Sequence, residues 1–246
     1  MSRYDVPRPK GLEHVTPSAE LRAQLAAEGR PILLAFSRGK DSLAAWLACL
    51  DAGIQVVPYH LYLVPGLSFV EASLRDAEAF FGVPRIAQYP HPSLYRVLQG
   101  LVCQPAERAR HIEAANLPVP DYIELNTLVR QDLGLAEDTW VVDGVRAVDS
   151  PMRRTAMKVH GPVKQNGLQQ KIVWDWRKQH VLAAIDAAGA KLPVDYEMFK
   201  RSFDGWDDRF LREIRKRFPE DYRRCLEWLP FAELDALRRE LPDAPF

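Results

Sequence analysis

The chain is expected to fold as an α/β protein, with a doubly wound, mostly parallel sheet and a helical C-terminal appendage. Three observations predict this. Short apolar runs bounded by turn signals recur at residues 31–36, 54–64 and 139–145, as strands buried on both faces should. Helical periodicity fills the intervals between them, and repeated strand–helix units imply parallel pairing with ligands at the carboxyl ends of the strands. Beyond Pro193 the sequence becomes densely charged and helical, with no further strand signal.

Taken in order, residues 1–16 are polar and Pro-containing, and form either an arm laid on the domain or a disordered leader. Thr16 is placed to cap a helix with Pro17 in its first turn, running to about Ala27. The first strand, 31–36, leads into a helix over 40–52 that Gly53 stops. The second strand covers 54–64, the second helix 68–81 and a third strand 85–89. Pro84, Pro90 and Pro92 open a less regular stretch over 94–120, and a helix follows over 120–133. A strand at 139–145 comes next, then a final strand at 171–174 and a helix over 177–188 closed by Gly189. Residues 206–241 read as charged helix interrupted by Pro219 and Pro230.

At 246 residues the chain accommodates one α/β domain of about 150–200 residues and a smaller appendage. The divisions expected are 1–29, an N-terminal arm and helix; 30–192, the central domain; and 193–246, a helical extension. With 33 basic and 33 acidic side chains, global charge provides no drive toward nonspecific nucleic-acid binding. Cys49, Cys103 and Cys225 are widely spaced with no Cys-x-x-Cys pair, which argues against a disulfide framework, a zinc site or an iron–sulfur cluster. No apolar run approaches a membrane span and the N-terminus lacks an apolar signal core, so a cytoplasmic protein is expected.

The first strand breaks at Ser37-Arg38-Gly39-Lys40-Asp41-Ser42 and enters a helix directly. A helix start has N–H groups without intrahelical acceptors and a partial positive charge, so an anion is favoured there. Gly39 lets the main chain approach phosphate, Lys40 supplies a point charge, and Ser37 and Ser42 add hydroxyl donors. Asp41 is the odd member: a carboxylate beside phosphate is repulsive unless a cation such as Mg²⁺ lies between. The spacing is not Walker A, because Asp41 stands where that motif has its hydroxyl. The segment resembles the PP-loop of the adenine nucleotide alpha-hydrolase superfamily, Ser-x-Gly-x-Asp-Ser, complete here as Ser37, Gly39, Asp41 and Ser42. Gly is common at the second position of that motif; Arg38 departs from it and is either neutral or an extra phosphate contact.

A second constellation follows the strand at 139–145: Asp143-Gly144-Val145-Arg146-Ala147-Val148-Asp149-Ser150-Pro151-Met152-Arg153-Arg154. Arg146, Arg153 and Arg154 with Asp149 and Ser150 make an oxyanion-binding cluster in which the aspartate can orient an arginine. The pattern Gly-x-Arg-x-x-Asp-Ser-x-x-Arg resembles the second motif of the phosphoadenosine phosphosulfate (PAPS) reductase branch of the same superfamily. Residues 171–176, Lys-Ile-Val-Trp-Asp-Trp, also look like that branch, so the likeness covers roughly 30–190. It fails at the C-terminus, where those reductases carry a nucleophilic cysteine in a Glu-Cys-Gly-like tail. Here Cys225 lies within Arg223-Arg224-Cys225-Leu226-Glu227, inside an expected helix. Those reductases also usually lack the loop aspartate. Asp41 moves the chain toward members that split ATP between the α- and β-phosphates, such as the small subunit of sulfate adenylyltransferase and the DNA-phosphorothioation enzymes.

The resemblance implies a PP-loop nucleotide-binding domain over 30–192 and an enzyme of sulfur metabolism that uses ATP and Mg²⁺. It would transfer adenylyl to sulfate or to a substrate awaiting thiolation. Lys40, Asp41, Arg146 and Arg153 are the expected catalytic residues, with Asp41 on the metal. Ser37, Arg38, Gly39, Lys40, Ser42, Gly144, Asp149 and Ser150 are expected to bind the nucleotide. Two alternatives stand beside this reading: a sulfonucleotide (PAPS or APS) reductase using Cys225, and a non-catalytic nucleotide- or nucleic-acid-binding module. For the last, Arg209, Arg212, Arg215, Lys216 and Arg217 form a basic face, with Trp206 and Trp228 to stack on bases. Glu213, Glu220 and Asp221 dilute that face, and a solvated helix surface is the favoured reading. Lys158 and His160 lie close enough in sequence to touch phosphate, and His60 lies where adenine is held in this superfamily. Trp174 and Trp176 read as core or pocket wall.

Overall fold

The computed structural model describes residues 6–234. The first residues of the arm, 1–5, and the last of the charged helical tail, 235–246, lie outside the described residues. The described chain carries a six-stranded sheet of order β3-β2-β1-β4-β6-β5, built from β1 (Ile32–Ala35), β2 (Val56–Tyr62), β3 (Ala87–Pro90), β4 (Val141–Asp143), β5 (Val163–Lys164) and β6 (Gln169–Lys171). By compactness the chain divides into two units, residues 1–60 with 121–192 and residues 61–120 with 193–246.

The first unit holds the centre of the sheet. β1 pairs in parallel with β2 on one side, Leu33 opposite Val57, and with β4 on the other, Leu33 opposite Val141. β4 pairs in parallel with β6, and the two-residue β5 pairs antiparallel with β6. Ile32, Leu33, Leu34, Val141 and Val142 are all buried, because the sheet is covered by helix and each strand is apolar on both faces. The covering helices include α1 (Ser18–Glu28), α2 (Lys40–Asp51), α6 (Tyr122–Asp132) and α8 (Lys178–Ala188), and α7 (Pro151–His160) belongs to the same unit. Ala44, Ala45 and Ala48 let α2 approach closely and pack on α8, and Trp46 meets Phe36 edge to face at 5.1 Å. β1 has its sequence successor β2 on one side and the later strand β4 on the other, so the strand order reverses between β1 and β4. In open α/β sheets such a reversal opens a crevice at the carboxyl ends of the two strands.

The arm is laid on this unit. Leu12 and Val15 are buried with Leu21, Ala147, Met157 and Trp174, and the Trp174 indole N–H donates to the Thr16 carbonyl at 3.0 Å. Thr16 itself does not cap α1. The residue before the helix is Pro17, and the cap comes from a distant carboxylate: Asp175 accepts from the Ser18 N–H at 2.9 Å and from its hydroxyl at 2.5 Å. The strand expected at 171–174 ends at Lys171, and Ile172, Val173 and Trp174 form a fully buried turn. Its hydrophobicity records burial rather than extension. Two elements not expected, α7 and the β5–β6 hairpin, fill the interval between 150 and 171.

The second unit contains α3 (Ser68–Phe81), β3, α4 (Pro92–Gln99), α5 (Ala106–Ala115), α9 (Asp195–Phe199), α10 (Asp208–Arg217) and α11 (Pro219–Trp228). The irregular stretch expected over 94–120 is largely α4 and α5; Pro92 starts α4 rather than breaking it, with His91 accepting from the Ser93 N–H at 3.0 Å. Phe69, Phe199, Phe203, Phe210 and Phe218 cluster, mostly edge to face, around α3, α9 and α10. Among the described residues the charged tail carries α10 and α11, which are interrupted at Phe218-Pro219.

Candidate active site

The turn between β1 and α2 lies at the sheet reversal. Gly39 precedes α2 in an extended conformation and has no side chain to cap it, so the first-turn N–H groups of α2 have no N-cap oxygen of the usual kind. Arg38 takes a left-handed conformation, φ 64°, which accounts for the common use of glycine at this position in the motif it resembles. Its side chain is nonetheless buried. The Ser42 hydroxyl donates to the Gly39 carbonyl at 2.9 Å, and the Ser37 hydroxyl donates to Ser42 Oγ at 3.1 Å. The two serines close the turn on itself and present their oxygens on one side of it.

The second constellation comes to the same place because β4 is the neighbour of β1. Gly144, the first residue past β4, faces the backbone of α2: a Cβ at this position would stand 2.4 Å from the Asp41 carbonyl oxygen and 2.7 Å from the Ser42 nitrogen. Only glycine permits that approach. Two residues on, Arg146 is 4% exposed, and its Nε lies 2.9 Å from Asp41 Oδ1. The N–H is not aligned for a hydrogen bond, so the contact is one of charge, and Arg146 Nη1 is buried with no hydrogen-bond partner. Asp41 Oδ2 takes the Lys40 ammonium at 2.6 Å. Asp149 holds Arg146 from the other side, with Oδ1 on Nη2 at 2.7 Å and Oδ2 on the Arg146 N–H at 3.0 Å, and it also meets Arg153 Nη1 at 3.1 Å. Ser150 caps α7, accepting from the Arg153 N–H at 3.1 Å.

Sequence reasoning thus picked out residues that the fold assembles: Ser37, Arg38, Gly39, Lys40, Asp41 and Ser42 at one strand end, and Gly144, Arg146, Asp149, Ser150 and Arg153 at the next. It missed Asp143 and Lys171, register partners at the carboxyl ends of β4 and β6, whose charges lie 3.6 Å apart beside the cluster. The signal was present, an acid and a base each ending a strand, but the end of β6 was misplaced by the apolar residues after it. His60 is buried, with Nδ1 2.9 Å from the Phe36 carbonyl. Lys158 and His160 lie on the exposed α7. Trp174 and Trp176 are core. Cys225 is 1% exposed and desolvation pushes its thiol up to about 12, the reverse of what a nucleophile requires.

Among the described residues no group of three or more His, Cys, Asp or Glu is arranged to hold a metal. A divalent ion at this turn would therefore use one protein carboxylate and take its other ligands from a bound phosphate and water, the usual arrangement for Mg²⁺. Asp41 fits that role: a carboxylate offers about four lone-pair positions, and Lys40 and Arg146 approach one oxygen each. Comparison with known protein families and with the curated proteins finds no match to this chain. No helix among the described residues is long and apolar enough to cross a membrane.

Proposed function

We propose that the chain is a PP-loop enzyme that binds ATP at the β1–α2 turn and transfers its adenylyl group to an acceptor oxygen, releasing pyrophosphate. One observation carries this reading: two motifs about a hundred residues apart converge so closely that Gly144 touches the Asp41 backbone and Arg146 reaches its carboxylate. A bare capped turn has no use for a second strand end with a buried, incompletely bonded arginine on top of it.

The acceptor oxygen attacks the α-phosphorus, the bond to the bridging oxygen of the β-phosphate breaks, and the electron pair leaves with pyrophosphate; the acceptor proton goes to solvent. The first-turn N–H groups of α2, with Ser37 and Ser42, would hold the departing phosphates, and Lys40 would offset the charge that develops on them. Arg146, whose buried Nη1 has no hydrogen-bond partner, would grip the α-phosphate or the acceptor, held in orientation by Asp149. Arg153 is half exposed and would guide the acceptor. Asp41 is the residue that would hold Mg²⁺, which when bound would supply charge neutralisation. Positioning and preorganised charge account for the catalysis without a covalent protein intermediate. The buried Cys225 argues against the sulfonucleotide reductase alternative, since such a thiol is neither accessible nor readily ionised.

The test is pyrophosphate release from ATP and Mg²⁺ with sulfate and with thiolation substrates as acceptors, compared between the native chain and Asp41→Asn. The substitution should lower turnover by about 10²–10³, the cost of removing one group that stabilises developing charge. Absence of pyrophosphate with every acceptor, together with sulfite release from PAPS, would overturn the reading.

A further inference from the structure

A surface next to the site bears on the identity of the acceptor. Between Ser150 and Lys171 the sequence contains Arg153, Arg154, Lys158, Lys164 and Lys171 and not one acidic residue, in a chain whose acids and bases are equal in number. This run is α7, the β5–β6 hairpin and the turns that join them. α7 is attached by a single buried residue, Met157, and the rest of its length is exposed. Along its outer side Met152 (84% exposed) and Val159 (65%) stand seven residues apart, with Ala156 between them on the same face.

At its two ends Arg153 pairs with Asp149 and Lys171 with Asp143, but the charges between them are not spent internally. Arg154 donates to the Lys10 carbonyl, which leaves its charge uncompensated, and among the described residues Lys158 and Lys164 form no ion pair. On α10, by contrast, Arg209 pairs with Asp207, Arg212 with Asp208, and Lys216 with Glu213. Neutralised helix faces are ordinary solvated surface. A run without acids, in which Arg154, Lys158 and Lys164 keep their charges, is a different object: it stores repulsion that an external anion relieves.

We infer that this face binds the phosphodiester backbone of a nucleic acid and that the nucleic acid is the acceptor, an inference that rests on the adenylyl-transfer reading. Several cations spread along a helix and a hairpin suit a repeated anion better than a single small one such as sulfate. The apolar crest is Met, Ala and Val, without the Trp, Phe or Leu anchors by which a helix lies in a membrane surface. The face also begins at the site: Arg153 in the first turn of α7 contacts Asp149, which holds Arg146, so a strand on α7 lies beside the residues that would carry the transfer.

The experiment is titration of the full chain into labelled RNA and DNA oligonucleotides of about 20 nucleotides, single-stranded and duplex, at several salt concentrations. Binding should weaken steeply with salt, and the exposed double variant K158E/K164E should lose at least about tenfold in affinity and reduce the salt slope by about one per contact removed. K216A on α10 should bind as the native chain does, and thermal unfolding should show all three equally folded. The four oligonucleotide forms distinguish which polymer supplies the phosphodiester. The proposal falls if no oligonucleotide binds, if K158E/K164E binds normally, or if anionic vesicles or poly-glutamate are bound and the oligonucleotides are not. ATP binding, measured in parallel, separates the two readings: if ATP binds and no oligonucleotide does, the surface falls and adenylyl transfer stands, and if oligonucleotide binds at α7 and ATP does not, adenylyl transfer and the acceptor role fall together while the binding face stands.

Discussion

Gly144 is where the site is most sensitive to a single atom. Its missing side chain is what allows the end of β4 to lie on the first turn of α2, and a methyl group there has nowhere to go, because the atoms it would meet are backbone. Gly144→Ala should therefore cost about 1–3 kcal/mol of stability, as overpacking does, and should push the two strand ends apart. The measurements are the urea midpoint and the affinity for ATP; a normal affinity would mean that the convergence of the two motifs does not form the nucleotide site. Glycine in this place was legible from the motif, but its packing role was not, since nothing in the sequence around 144 says that residues 41 and 42 will lie against it. Arg38 is the converse. Its identity departs from the glycine common in the motif, yet its backbone keeps the left-handed turn that glycine would adopt freely.

At the scale of elements, two helices begin on carboxylates supplied from far along the chain. Asp175 receives Ser18 at the start of α1, and Asp221 of α11 receives the Ser68 N–H at 2.8 Å and its hydroxyl at 2.7 Å at the start of α3. Both acids are buried, so removing either leaves helix-end donors without partners inside the protein. Asp221→Ala should destabilise by about 1–3 kcal/mol, read as a lower denaturation midpoint, with nucleotide affinity unchanged. A shift below a few tenths of a kcal/mol would show that water replaces the carboxylate without cost. Such caps explain why helix starts were hard to place in sequence. Thr16-Pro17 has the local signature of an N-terminus, and the fold uses a partner 157 positions away in the chain instead. Strand β1, helix α2 and helix α3 were legible because burial, periodicity and a glycine stop agree locally; 172–174 was not, because apolar residues in a buried turn look like those of a strand.

For the molecule as a whole, alkaline pH is the condition that tests the cores. Cys49 and Cys225 are buried, and desolvation raises each thiol from 9.0 to about 12. Below pH 9 both states keep the proton and the thiols contribute no pH dependence. Between pH 9 and 12 the unfolded chain releases protons that the folded chain retains, so stability falls as pH rises, by about 1.4 kcal/mol per pH unit for each thiol. Urea titrations at pH 8 and pH 10 should show that loss, and Cys225→Ala should remove its share of the slope; a midpoint independent of pH over this range would contradict the burial of both thiols. The alternation of strand and helix, and hence the α/β class, was readable from the chain. The division into units that interleave in sequence was not, because segments 61–120 and 193–234 are joined by side chains such as Ser68 and Asp221 and by no local pattern.

Lys40, Asp41, Arg146, Asp149 and Arg153 follow one another through space with signs that alternate, each ion pair joining a cation to a carboxylate. Such a row responds to mutation with a parity. Deleting a carboxylate leaves two cations facing each other, which an incoming polyphosphate relieves, so Asp149→Asn should loosen the fold while tightening the grip on phosphate. Deleting a cation from the interior, as in Arg146→Gln, leaves two carboxylates face to face and repels phosphate twice over. Stability and nucleotide affinity should therefore move in opposite directions at the even members of the row and together at the odd ones. Asp41, which would also hold the metal, is the single place where the parity should break.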